Sequence, residues 1–493
     1  MQDWLEARTR TSPDQIALID HSTPDAPLTL TVAQLHQRVE QACQHLIQDG
    51  VRSGQHVARL MSNDTEAVVT IFALMRCGAV FVPLNTRLTL AELDFQLNQA
   101  DVAWLLPAGT DERLQALHAK GHRILTWDTP TSDDLPTVPH RQVDLDQSAL
   151  IVHTSGTSGQ PKGALLTYGN LFYSAMASAY HIGHLPTDRW LCVLPLYHVG
   201  GLSILVRAVL YGITVDLYPQ FDVQTLNQAL STHPITLISL VPTMLHRLLE
   251  ARTEDWHSAF RCVLLGGAAA DKRLLDRCIR EDIPIATTYG LSEAASQVAT
   301  AYGEVARRKV STVGKPLLFT EVQIVDEVGN AQPANQYGEV VVRGQTVMRG
   351  YYNNPSATAH TLRKGWLHTG DIGYLDDDGD LFLVQRRSDL IVSGGENVYP
   401  AEVEAVLLAH RAIEQVAVVG VDDLEWGQRV AAALVLANNY APSAEAVIAY
   451  CREHLAGYKI PRKIQFVREL PLTGSGKIQR DAVRALFHES EEA

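Results

Sequence analysis

Between residues 32 and 281 short apolar runs alternate with helical stretches, an order that suits a parallel sheet with helices on its faces. The first helix is the clearest. Thr31 with Gln34 makes a capping box, Val32, Leu35, Val39, Cys43, Leu46 and Ile47 form one apolar stripe, and Gly50 stops it, which predicts a helix over 32–48. A second helix over 66–77 turns at Gly78 into the strand-like Ala79-Val80-Phe81-Val82. The pattern recurs as a strand over 235–240, a helix over 243–251, a strand over 261–265 and a helix over 271–281. After Thr312 the texture changes to short strand runs at 321–326, 338–343 and 379–385, separated by turns such as Asp376-Asp377-Asp378-Gly379. The expected fold is α/β: a large N-terminal domain, 1–385, of mostly parallel α/β subdomains plus an antiparallel β subdomain. A small, mobile α+β domain, 386–493, follows it.

Composition narrows the function. Hydrophobic residues are 46% of the 493 and charged residues 19%, which excludes a disordered chain, a coiled coil or a collagen-like repeat. The 41 basic and 55 acidic side chains leave a net charge of −14, against a general nucleic-acid binder, so an anionic substrate must be drawn in by a few local cations. Six cysteines (Cys43, Cys77, Cys192, Cys262, Cys278 and Cys451) contain no C-x-x-C pair and read as buried, reduced thiols. The N-terminal MQDWLEARTRTSPDQ, with Asp3 and Glu6, has no apolar core and does not read as a signal peptide. No stretch approaches the roughly 18 apolar residues of a membrane span. These features set the expectation of a cytoplasmic protein; a homo-oligomer stays open.

The stretch Ile151-Val152-His153-Thr154-Ser155-Gly156-Thr157-Ser158-Gly159-Gln160-Pro161-Lys162-Gly163 carries the most chemistry. An apolar strand runs into a loop of hydroxyls and glycines that ends in a lysine. Glycines let backbone N–H groups turn toward an anion, hydroxyls add donors, and the lysine adds a point charge, a set that suits a triphosphate. Three glycines, four hydroxyls and a lysine within ten positions go beyond an ordinary polar turn. The spacing is not that of G-x-x-x-x-G-K-[ST], so a standard P-loop nucleotidase is disfavoured.

This loop resembles the phosphate-binding loop of the adenylate-forming enzymes: acyl- and aryl-CoA synthetases, luciferases and peptide-synthetase adenylation domains. Further matches follow in order. Gly266-Gly267-Ala268 resembles the adenine-side turn, and Tyr289-Gly290-Leu291-Ser292-Glu293 the tyrosine–glycine–x–threonine–glutamate motif, with Ser292 in place of threonine. Trp366-Leu367-His368-Thr369-Gly370-Asp371 resembles the ribose-binding motif. Arg386 corresponds to the arginine before the interdomain hinge, and Lys477 in Gly474-Ser475-Gly476-Lys477 to the C-terminal lysine loop. The resemblance implies phosphate contacts from Thr154, Ser155, Gly156, Thr157, Ser158, Gly159, Lys162 and Ser292. It implies adenine and ribose contacts from Gly266, Gly267, Ala268, Thr288, Tyr289, Gly290, Asp371 and Arg386. Glu293 would hold Mg²⁺, Lys477 would be catalytic, and Gly394, Gly395 and Glu396 would line a coenzyme A channel.

These roles make physical sense. Activating a carboxylate with ATP brings two anions together at the α-phosphate, so Lys477 would stabilise the charge that develops there. Glu293 offers the hard oxygen ligand that Mg²⁺ favours. Singly, a glutamate at a helix start is usually a dipole partner and a lysine near a C-terminus a solvated charge; the ordered set reverses both readings. Two departures touch the hinge. The family often has glycine before its arginine where this chain has Gln385, and often Asp or Lys where Ser388 stands.

The acid is read from Pro195-Leu196-Tyr197-His198-Val199-Gly200-Gly201-Leu202-Ser203, which resembles the pocket motif of CoA ligases. No aspartate occurs between Leu191 and Tyr211 to hold an amino-acid ammonium, so an amino-acid substrate is disfavoured. His198 would act beside the acid as a catalytic or gating group, with Gln297 also lining the pocket. The chain resembles the 2-succinylbenzoate–CoA ligases of menaquinone synthesis in 386–400, in Ser296-Gln297 and in its compact length. Their dicarboxylate needs a second cation, for which Arg207 is the candidate, against the plain alternative that it snorkels to solvent. Another aryl- or fatty-acid–CoA ligase, an adenylating enzyme with a non-CoA acceptor, or a silent nucleotide-binding relative are the competing readings.

Overall fold

The computed structural model describes residues 2–23, 26–125, 142–155, 160–268, 270, 272–326, 328–385, 391–437, 440–471, 478 and 480–487. The helix after Thr31 spans Val32–Gln48 and both halves of its capping box form. Thr31 Oγ1 accepts from the Gln34 N–H at 3.2 Å, and Gln34 Oε1 accepts from the Thr31 N–H at 2.9 Å. Val32, Leu35, Val39, Cys43 and Leu46 are buried along its stripe, with Ile47 half-buried at the edge. The next helix, Thr65–Cys77, begins one residue before its apolar pattern because the Asp64 carboxylate accepts from the Ala67 N–H at 2.8 Å. It ends at Gly78 and leads into the strand Val80–Asn85.

Contacts divide the chain into two compact units. One comprises Met1–Thr86, Leu97–Val152 and Gly163–Gln385, the other Arg87–Gln96, His153–Lys162 and Arg386–Ala493. The larger unit is built on three sheets. In the first, Ile285–Leu291, Cys262–Leu265, Leu237–Leu240, Arg189–Cys192, Thr214–Leu217 and Ile16–Asp20 are neighbours in that order and run parallel. Ser296–Tyr302 and Lys315–Pro316 extend it antiparallel at one end and Leu28–Thr31 at the other. Parallel strands covered on both faces read as unbroken apolar runs, and every residue of Leu237–Leu240 and Cys262–Leu265 is buried. The second sheet places Gly350–Tyr351, Pro161–Thr167, Ser148–Ser155, Val80–Asn85, His56–Met61 and Val102–Leu106 side by side.

The texture change after Thr312 corresponds to an antiparallel sheet of Thr320–Val325, Gly338–Gly344, Trp366–Leu375 and Leu362–Arg363, with Leu381–Gln385 paired to Trp366–Leu375. In the second unit Ile413–Asp423 and Gly427–Leu436 form a long antiparallel pair whose residues alternate between two cores. Val416, Val418, Val430 and Leu434 pack with Val403, Leu407 and Val447, while Val419, Val421, Ala431 and Ala433 pack with Leu470, Val483 and Phe487. All six cysteines are free; Cys77 is half-buried rather than buried. Among the described residues no helix is long and apolar enough to cross a membrane.

Candidate active site

Parallel strands deliver their carboxyl ends to one edge of a sheet, where the loops that follow can converge. Four such ends matter here. Arg189–Cys192 leads through Pro195 to His198, the residue that precedes the helix Val199–Tyr211. Leu237–Leu240 leads to Val241 and the helix Pro242–Ala251. Cys262–Leu265 leads to Gly266, Gly267 and Ala268, and Ile285–Leu291 to the short turn Ser292–Ala294. The sheet thus gathers His198, the Gly266–Ala268 turn and the Thr288–Glu293 motif at one edge.

The turn after Leu291 is tightly built. A Cβ on Gly290 would lie 1.9 Å from the Ser296 carbonyl oxygen, so only glycine lets the chain double back there. Ala295 and Ser296 both adopt left-handed backbone conformations, with φ of 52° and 103°. Glu293 sits in this turn and is buried. Its Oε1 accepts from the Tyr351 hydroxyl at 2.9 Å, and its carbonyl accepts from the Met348 N–H at 2.8 Å. A three-residue turn has no helix dipole to speak of, so the role of a helix-start partner does not apply to Glu293.

Tyr289 is buried and its hydroxyl donates to Asp371 Oδ2, which joins the tyrosine and the aspartate of two separate sequence motifs. Thr288 and Gln297 also meet. Gln297 Nε2 donates to Thr300 Oγ1 at 3.0 Å and to Thr288 Oγ1 at 3.4 Å, while Gln297 Oε1 is buried without a partner among the described residues.

Arg207 does not snorkel. The helix Val199–Tyr211 is apolar around most of its girth, and Arg207 is 1% exposed within it. Its Nη2 donates to Ser296 Oγ at 3.3 Å and its guanidinium lies 5.7 Å from the Trp190 ring centroid. Among the described residues its Nε is buried without a partner and no carboxylate offsets its charge. Burial accordingly pulls the Arg207 pKa below the usual guanidinium value, opposed only by Tyr211.

In the second unit Thr154 and Lys162 stand at either side of the glycine loop, with a long contact of 3.5 Å from Thr154 Oγ1 to the Lys162 carbonyl. Gly156, Thr157, Ser158 and Gly159 lie outside the described residues, as do Arg386, Ser388, Lys477 and the side chain of Ser155. Gly394 and Gly395 form the two-residue turn between Ile391–Ser393 and Glu396–Val398, with φ of 58° and 84° as a type I′ hairpin requires. Glu396 is buried, 3.5 Å from Arg87 Nη1, and Trp426 packs against Gly394. Lys459 Nζ lies 2.7 Å from both Glu92 and Glu402. Burial opposes its charge, but the two carboxylates hold its pKa above the ordinary lysine value.

Sequence reasoning missed Tyr351, Trp190, Arg87 and Trp426; Tyr351 is placed by the antiparallel pairing of Gly350–Tyr351 with Leu165 and Ala164, which no local pattern announces. The one acidic triad close enough to hold a metal among the described residues, Asp376, Asp378 and Asp380, is already bridged by Lys309 Nζ at 2.6, 2.7 and 2.5 Å.

The AMP-binding enzyme family matches residues 5–352, and the AMP-binding enzyme C-terminal domain matches residues 402–477. A 2-succinylbenzoate–CoA ligase of Bacillus cereus is 41% identical over 490 residues, 99% of either chain. A double mutant of the o-succinylbenzoate CoA synthetase of Bacillus subtilis, bound to its product analogue OSB-NCoA, matches with a TM-score of 0.92 at 37% identity over 98% of either chain. The Bacillus subtilis enzyme with ATP and magnesium ion matches at 0.74, also at 37% identity, over 98% of this chain and 99% of that one.

Proposed function

The chain belongs to the AMP-binding enzymes, and from that premise we propose that it is an ATP-dependent acid–CoA ligase acting on 2-succinylbenzoate. The product is 2-succinylbenzoyl-CoA, made through an acyl-adenylate, in the menaquinone route that the resemblance implies. In the first step a carboxylate oxygen of the acid attacks the α-phosphorus of ATP and pyrophosphate leaves. In the second the CoA sulfur attacks the acyl carbonyl, losing its proton, and AMP leaves. Within the superfamily, the observation that carries this substrate is the buried Arg207, whose charge no carboxylate among the described residues offsets. An acid that brings a second, unreacting carboxylate supplies that partner; a fatty acid or a simple benzoate does not.

Roles for the chain's own residues follow. Asp371, held by Tyr289, accepts from ribose hydroxyls, and the Gly266–Ala268 turn flanks the base. His198 and Gln297 face the acid. Thr154, Lys162, Ser292 and the glycines between grip the phosphates, and Gly394 to Glu396 face the pantetheine arm. Glu293 suits Mg²⁺: it is a buried carboxylate oriented by a neutral hydroxyl, and oxygen donors are what that ion prefers. When bound, the ion shields phosphate charge during the first step. A cytoplasmic site of action belongs to the same reading, since the free cysteines fit a reducing compartment.

Glu293→Gln keeps the shape of the side chain and removes its charge. The variant should need about five- to ten-fold more Mg²⁺ for half-maximal pyrophosphate release, with KM for CoA unchanged. An unaltered Mg²⁺ titration would remove Glu293 from the metal site.

The reading as a whole is tested by acid-dependent AMP formation across 2-succinylbenzoate, benzoates and fatty acids, with and without CoA. The expected result is the highest kcat/KM for 2-succinylbenzoate, a single burst of pyrophosphate without CoA, and sustained turnover with it. Preference for a monocarboxylate would overturn the substrate, and steady turnover without CoA would overturn the acceptor.

A further inference from the structure

We propose that Glu339 is a positioning residue for adenylation: its carboxylate fixes the bulge that carries Asp371 and thereby sets how ribose is gripped. The inference rests on Asp371 as the ribose-binding carboxylate. Glu339 lies in the strand Gly338–Gly344, paired with Trp366–Leu375. Glu339 is opposite Ile372 and Val341 is opposite His368, so Val340 alone spans the three residues Thr369, Gly370 and Asp371. Setting three residues against one bends the strand locally, while burial still alternates through the bend, with Leu367, Thr369 and Asp371 buried. Asp371 is the last residue of that bend, so its position follows the shape of the bend.

The shape of the bulge is fixed from several directions. Gly370 adopts φ of 74°, a left-handed conformation that other residues take only with strain. Its N–H donates to Glu339 Oε1 at 3.0 Å, and the His368 Nδ1 lies 2.8 Å from Glu339 Oε2, so one carboxylate ties both sides of Thr369. Thr369 Oγ1 donates to the Val340 carbonyl at 2.7 Å and accepts from the Asp371 N–H at 3.0 Å. The Tyr289 hydroxyl then holds Asp371 Oδ2. Remove Glu339 and the Gly370 N–H loses the partner that keeps the bulge in this form, while Asp371 and Tyr289 remain. Glu339 is 31 residues from Gly370 in sequence and lies outside the stretches that carry the family resemblance above.

Acid-dependent pyrophosphate release with ATP, 2′-deoxy-ATP and 3′-deoxy-ATP separates a positioning role from a merely structural one. Asp371→Ala should lose most of the preference for ATP over the deoxynucleotides and sets the ceiling. Glu339→Ala should raise KM for ATP about ten-fold and shrink the same preference about ten-fold, with KM for acid and CoA within about two-fold. Glu339→Gln, which keeps an oxygen for the Gly370 N–H, should recover to within about three-fold of the parent. If Glu339→Ala keeps the full preference while Asp371→Ala loses it, the proposal is overturned and the ribose reading stands. If Asp371→Ala also keeps it, both are overturned. Should the alanine variant not fold, Glu339→Asp withdraws the same charge by one methylene, and an unchanged preference in it overturns the proposal equally.

Discussion

Lys477→Ala should slow acyl-adenylate formation by about a hundred-fold or more while leaving conversion of supplied acyl-adenylate by CoA within a few-fold of the parent. The asymmetry follows from where charge develops. In the first step an anionic carboxylate approaches an anionic phosphate, and the pentacoordinate phosphorus carries more negative charge on its oxygens than the ground state does. A cation placed there is worth most in the transition state, and such electrostatic donors typically contribute two to three orders of magnitude. In the second step the carbonyl is already activated and the leaving group, AMP, departs without that lysine. The sequence supplies the candidate: Lys477 closes the segment 402–477 that matches the C-terminal family domain, directly after Gly474-Ser475-Gly476. Single-turnover pyrophosphate release, set beside consumption of synthetic acyl-adenylate, decides the matter. Equal losses in the two half-reactions would mark Lys477 as a structural lysine and move the cation of the first step elsewhere, with Lys162 the next candidate.

What was legible in the sequence was local. The helix Val32–Gln48 could be placed to the residue because its cap, its stripe and its stop all lie within one stretch of chain. The parallel strands could be recognised because burial on both faces makes them unbroken apolar runs bounded by turns. The contacts that shape the candidate site have no such signature. Tyr351 reaches Glu293 across 58 residues, and Lys459 reaches Glu92 across 367. Periodicity reports which face of an element is buried, not which polar group a distant chain segment brings to it. The same limit explains Arg207. An amphipathic helix announces its solvent face, but Val199–Tyr211 is apolar on nearly every side, so its one charge could be read as pointing outward or inward. Thr369-Gly370-Asp371 shows the limit from the other side: the motif was visible, whereas the bulge that gives it shape depends on a glutamate in another strand.

Arg207→Gln should raise KM for 2-succinylbenzoate about ten- to a hundred-fold and leave KM for ATP nearly unchanged, and Arg207→Met should make the ligand-free protein more stable. The two expectations share one cause. A guanidinium that is 1% exposed, with Nε unpartnered and a single long hydrogen bond, to Ser296, among the described residues, is an expensive group to keep. Burying a charge costs several kcal/mol unless a partner offsets it, and no carboxylate among the described residues does. A methionine, shorter but apolar and flexible, removes that cost, so the ligand-free variant should gain on the order of 1 kcal/mol in denaturant unfolding. The function side runs in the opposite direction. The unreacting carboxylate of the substrate offers Arg207 the partner that the fold withholds, and a lost charge-assisted contact costs about 1.5–3 kcal/mol, which is the ten- to hundred-fold in KM. Added 2-succinylbenzoate should therefore stabilise the parent more than either variant, because a ligand stabilises only the state that binds it. Monocarboxylic acids provide the control: their KM should hardly respond to either substitution. A parent-like KM for the dicarboxylate together with a loss of stability in Arg207→Met would show that Arg207 serves packing alone, and the second carboxylate would then need another cation.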